Sequence, residues 1–231
     1  GSVGAVVPDA LAMQADSAAG QDELLAIGDL MSQAFRLDYS TQKDEIRDAF
    51  IRIEARAKAS ATRFASDPTA AFRLREQQGV AAFYAAQHND PEWDDIEGQK
   101  QEIAWLDETV RLLGPAIAER DGGGDHYEFR GAAGQLFDQG VRFDDPRLPS
   151  WSAMRVQANR YRVKAFPDDW FEKVLLAEAL YDHGWLMKDQ AATAEANRIT
   201  AGIPEDEMRS SLAEKRDAVA AGEAPYDRPG D

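Results

Sequence analysis

Apolar side chains recur along most of this chain at steps of three and four, the spacing that returns one face of an α-helix to the same side. Leu24, Ile27, Met31 and Phe35 form the first such stripe, beginning from Gln21. Ile46, Phe50, Ile53, Ala57 and Phe64 form a second, preceded by Thr41 with Asp44 three places on, a capping-box-like start. Asp48 with Arg52 and Glu54 with Lys58 mark its solvent side as pairs one turn apart, acid first. Asp67-Pro68 then closes one helix and opens the next, because Asp caps and Pro suits the first helical position. Phe72, Val80, Phe83 and Tyr84 supply the buried side of that third helix. Beyond Asn89-Asp90-Pro91 comes the longest stripe, Ile96, Gln99, Ile103, Leu106, Val110, Leu113 and Ile117. It is a seam for lengthwise packing, with Pro115 expected to bend its last turns. Its three heptads suit an intramolecular bundle, preferred here over a coiled-coil dimer.

The second half reads in the same way. Asp121-Gly122-Gly123-Gly124-Asp125 is the natural flexible joint. A helix is expected from His126 to Gln139, and another capped by Ser150, with Trp151, Met154, Ala158, Tyr161 and Ala165 along its seam. Pro167-Asp168-Asp169 opens a hairpin whose first helix is expected to end at His183-Gly184, where the partial negative charge of a helix C-terminus favours a protonated His183. A last helix is expected from Pro204 to about Gly222, and Val3 to Val7 is the one β-like run. The fold predicted is therefore all-α, a bundle or stack of hairpins of about eight helices with no significant sheet. Its parts are a frayed lead-in over 1–20, an N-terminal bundle over 21–120, C-terminal hairpins over 126–222 packed on it, and a disordered tail over 223–231.

Composition narrows what such a chain does. With 44% hydrophobic and 29% charged residues it has material for a core, and no apolar run approaches the roughly 18 residues of a membrane span. Forty-two acidic against 26 basic residues give a formal charge of −16, which disfavours nucleic acid and favours a more basic partner. The absence of cysteine excludes disulfides, thiolate metal sites and cysteine nucleophiles. The three histidines, His88, His126 and His183, have no paired zinc spacing and none follows a Glu by three. There is no G-x-S-x-G elbow and no phosphate-binding G-x-x-x-x-G-K-[ST] loop. No catalytic residue, metal or cofactor is expected. Nineteen Arg against 7 Lys, with abundant Ala, suggest a GC-rich bacterial genome, and the composition fits either the cytoplasm or the periplasm. Gly1-Ser2 reads as a cloning remnant and no Met precedes Val3, so a trimmed native start is expected.

One stretch carries a likeness. Pro167 stands where a tetratricopeptide repeat has its closing Pro, and Leu176-Ala177 stands at its Leu-Gly/Ala pair. Leu180 takes the aromatic position, Gly184 the turn and Ala196 a small packing site in the second helix. Residues 167–196 thus resemble a single tetratricopeptide hairpin, although Lys173 and Asp189 occupy its usual Trp and small-residue positions and no second copy follows at a 34-residue offset. The resemblance implies a stacked-hairpin scaffold that holds other proteins.

The expected function is that of a non-catalytic interaction protein, such as an immunity or inhibitor protein, an adaptor or a secretion chaperone. Its acidic helical surface would engage a basic partner through Trp170, Trp185, Asp168, Asp169, Glu172 and Asp182. The alternative is an enzyme whose site gathers His126, Tyr127, Glu128 and Arg130 beside the Gly-rich joint.

Overall fold

The computed structural model of the chain describes residues 15–119 and 126–227, and among them every regular element is helical. In chain order these are α1 (Ala18–Phe35), α2 (Lys43–Arg63), α3 (Pro68–Asn89), α4 (Ile96–Glu119), α5 (His126–Arg142), α6 (Leu148–Ala165), α7 (Trp170–Met187), α8 (Gln190–Ala201) and α9 (Ser210–Ala220), with a 3₁₀ turn at Glu205–Glu207. The chain divides into two compact units, residues 1–132 and 133–231. The expected joint at 121–125 and the β-like run at 3–7 lie outside the described residues, and the division falls within α5. No helix among the described residues is long and apolar enough to cross a membrane.

In the first unit, α3 packs along both α2 and α4, and α1 lies against α2 and α3. Asp67 ties two helix starts together. Its carboxylate accepts from the backbone N–H of Ala70 (3.0 Å), opening α3, and from the N–H and hydroxyl of Ser17 (2.9 and 2.6 Å), which caps α1. These donors hold the Asp67 carboxyl below its usual range. Residues 18–20, expected to be frayed, are therefore the first turn of α1. The capping box at Thr41 does not form; α2 starts at Lys43, and Asp38 instead closes a turn by accepting from the N–H and hydroxyl of Ser40.

A single apolar stripe was expected on α3, yet it is buried almost all round, with Arg73, Glu76, Gln77 and Gln78 inside. Each has a partner from another helix or one turn away. Arg73 pairs with Glu76 and with Glu119 (2.6 Å), and Gln77 donates to the Leu24 carbonyl (2.9 Å). Gln78 donates to both Glu54 (3.3 Å) and Glu108. Burial and the neighbouring Glu54 push the Glu108 carboxyl up to about 7. Glu54 thus turns inward rather than toward Lys58. Around this polar spine Phe50 meets Phe35 and Tyr84 at 5.1 and 5.3 Å, and the seam of α4 from Ile103 to Ile117 is buried as expected. Pro115 sits inside α4, which continues to Glu119.

In the second unit α6, α7 and α8 stack as successive hairpins, and α9 covers α7. Their shared core includes Val156, Val174, Leu176, Ala177, Leu180, Tyr181, Ala196 and Leu212. Helix α6 begins at Leu148, ahead of Ser150, and α7 runs past His183-Gly184 to Met187, where Lys188 takes a left-handed conformation (φ 53). Gly184 is therefore a crossing point instead of a turn: a Cβ there would sit 3.1 Å from both the Asp189 carbonyl oxygen and the Thr193 nitrogen. Because those contacts are backbone, Gly184→Ala is expected to destabilise the protein by about 1–3 kcal/mol, read from the urea midpoint; an unchanged midpoint would show that α8 can yield. The tail is also partly ordered. Pro225 is buried, its carbonyl accepts from Lys215 (2.8 Å), and Tyr226 stacks edge-on against Phe137 (5.4 Å).

Candidate functional site

The residues expected to meet a partner on the hairpin separate into two groups. Asp169 caps α7, its side chain accepting from the Phe171 N–H (2.9 Å), and Asp168 beside it is exposed. Together with Phe166, Pro167, Trp170 and Glu207 they line an open recess of about 570 Å³. Its rings already carry cations of their own: Arg162 over Phe166 (4.6 Å) and Lys173 over Trp170 (4.3 Å). Glu172 and Asp182 face inward. Glu172 is 3% exposed and paired with Arg162 (2.9 Å); Asp182 is 1% exposed and held by Arg155 (2.5 Å) and Lys215 (2.8 Å). These two carboxylates build the unit and are not offered at its surface. Trp185 is half-buried.

Of the residues named for an enzyme, Tyr127 and Glu128 differ sharply in exposure. Tyr127 is exposed, with its ring 6.3 Å from that of Phe83, whereas Glu128 on the same turn is fully buried. Arg130 is half-buried, and the side chain of His126 lies outside the described residues. Among the described residues no group of three His, Asp or Glu side chains is placed to hold a metal. A serine-histidine contact does occur in the second unit, Ser152 Oγ to His183 Nδ1 at 2.8 Å. Ser152 is buried beneath it, so its hydroxyl has no approach for a substrate. Burial and, less strongly, Arg160 push the His183 imidazole below its ordinary range, against the pull of Asp189. Burial thus disfavours the protonated form of His183 within α7, opposite to the pull expected from its place beside Gly184.

The first unit presents a different surface at the end where α3 turns into α4. Asp90, in the left-handed region (φ 41), stops α3. The loop that follows is pinned by its backbone: Gln99 Nε2 donates to the Glu92 carbonyl (3.0 Å), Asn89 Nδ2 to that of Gly98 (3.3 Å), and Asp95 accepts from the Gly98 N–H (3.0 Å). A Cβ on Gly98 would lie 2.7 Å from that of Pro91, so glycine is required for this closure. With the backbone fixed inward, the side chains of Trp93 and Ile96 are left outside. Trp93 is 73% exposed, more than any other large apolar residue described, and Glu92, Asp94, Asp95 and Glu97 around it are exposed as well.

The neighbouring turn between α1 and α2 reaches the same end. Lys43 pairs with Asp90 and lies 6.0 Å from the ring of Tyr39, and Tyr39, itself 61% exposed, sets its edge against His88 (5.4 Å). Asp90 also reaches Glu102, whose carboxyl is raised mainly by burial and further by that charge. The result is a hydrogen-bonded, anionic surface carrying two exposed aromatic rings. Sequence reasoning chose Trp170 and Trp185 as the partner-facing tryptophans and did not single out Trp93. The available signal was its setting, since Trp93 has acids on both sides and lies outside the seam that starts at Ile96.

Compared with known proteins, the chain matches no family, no curated protein and no solved structure.

Proposed function

We propose that this is a non-catalytic interaction protein, of immunity, adaptor or secretion-chaperone type, that binds a more basic protein through the acidic end of its first unit. The observation that carries this reading is Trp93, an exposed indole on a pinned loop within a ring of carboxylates. Burying an indole of this size supplies apolar contact area, and tryptophan is favoured at the energetic centres of interfaces. The surrounding acids steer and select a cationic partner more than they add affinity. The stack of α6, α7 and α8 is compatible with the tetratricopeptide-like reading of residues 167–196, a class of scaffold that serves to hold proteins.

The test is to isolate the bound protein from the cells that make this chain and measure its affinity. Raising salt from about 0.1 M to about 1 M shrinks the Debye length from about 10 Å to about 3 Å, and binding is expected to weaken at least about tenfold. Trp93→Ala is expected to weaken it by a further factor of about ten or more, while changing stability by less than about 0.5 kcal/mol. Binding that ignores both salt and Trp93 would reject the reading.

A further inference from the structure

Among the described residues of the first unit, Glu128 is the carboxyl that burial isolates. It is fully buried near the start of α5, and its Oε1 accepts a hydrogen bond from the Tyr84 hydroxyl of α3 (2.9 Å), while Oε2 has no partner. The Tyr84 ring also packs against Phe35 (4.8 Å) and Phe50 (5.3 Å), so the hydroxyl is carried by a buried aromatic cluster. On the same helix His88 lies one turn further, its Nδ1 2.7 Å from the Tyr84 carbonyl oxygen. From α4, Gly114 faces the Phe129 ring, which a Cβ there would meet at 3.6 Å. No charged side chain among the described residues acts on the Glu128 carboxyl; burial pushes it up to about 7, against the Tyr84 hydroxyl and a backbone N–H. The packing on either side is close: a Cβ on Gly131 would lie 3.0 Å from the Phe83 ring.

A protonated acid fits such a place, because it is neutral and needs one partner. An ionised one does not, since a buried charge facing only a neutral hydroxyl and a backbone N–H must draw in water or leave. We propose that Glu128 is a proton-operated latch, seating the first turns of α5 on α3 when protonated and releasing them when ionised. The device is independent of the binding surface around Trp93.

Hydrogen exchange of the full chain, followed from about pH 5.5 to about pH 8.5 and corrected for the intrinsic rate, tests this. Protection of the amides at 130–132, beyond the unbonded first N–H groups of the helix, is expected to fall at least about tenfold between about pH 5.5 and about pH 7 and to level off above, while Glu128→Gln keeps it level across the range. The Glu108 carboxyl titrates in the same region, so Glu108→Gln serves as a control and should leave the fall in place. Tyr84→Phe removes a donor that favours the ionised form, and the pH at which protection levels off should move upward. Level protection in the unaltered protein, or an unchanged fall in Glu128→Gln, would overturn the proposal. So would failure of Glu128→Gln to fold, because the amide has the shape and charge of the protonated acid.

Discussion

Asp182→Ala is expected to cost about 3–5 kcal/mol, because it removes the buried anion that two largely buried cations of the second unit share, with only the nearby Asp138 left to face them. The carboxylate is 1% exposed; Arg155 reaches one oxygen at 2.5 Å and Lys215 spans both at 2.8 and 3.1 Å. Arg155 and Lys215 come from α6 and α9, so a single side chain of α7 joins the helices on either side of it. Lys215 also holds the Pro225 carbonyl, and the tail therefore loosens with the pair. Changing Asp182, Arg155 and Lys215 together to apolar residues of similar size should restore much of the loss, since an ion cluster of this kind specifies a geometry more than it adds stability. Urea unfolding checks both variants. A change of less than about 1 kcal/mol for Asp182→Ala would mean that water reaches the cluster.

Phe50→Ala should be comparably damaging in the first unit, about 3–5 kcal/mol, through the cavity that it leaves. The ring is fully buried on α2 and touches Phe35 of α1, with Tyr84 and His88 of α3 on its other side. Three helices thus lose a common contact, and none can close the gap alone because each ring is wedged by another. The thermal midpoint is the readout, and Phe50→Leu, which keeps most of the volume, should cost much less. Equal effects from the two substitutions would show that the ring's shape, rather than the filled space, is what matters.

Much of this fold is legible in the order of residues. The seam from Ile103 to Ile117 and the Asp67-Pro68 boundary are local signals, and both appear where the chain places them. What was not legible depends on partners far along the chain. On α3, Arg73, Glu76, Gln77 and Gln78 look like a solvent face until α1, α2 and α4 supply Leu24, Glu54, Glu108 and Glu119 to meet them. Glu172 and Asp182 looked like outward acids for the same reason. Helix α7 is packed by α6, α8 and α9, so Glu172 and Asp182 fall inside while Lys173, Glu178 and His183 stay half-buried. The surface at Trp93 went unread because exposure is decided by how a loop's backbone is tied, here through Gln99, Asn89 and Gly98.

The most direct test of the binding surface is hydrogen exchange on the protein with its isolated basic partner bound and unbound. Protection should rise over residues 90–98, with a second, smaller rise over 36–42 where Tyr39 and Lys43 reach the same end. Protection confined to the hairpin at 165–171, or absent from both loops, would contradict it.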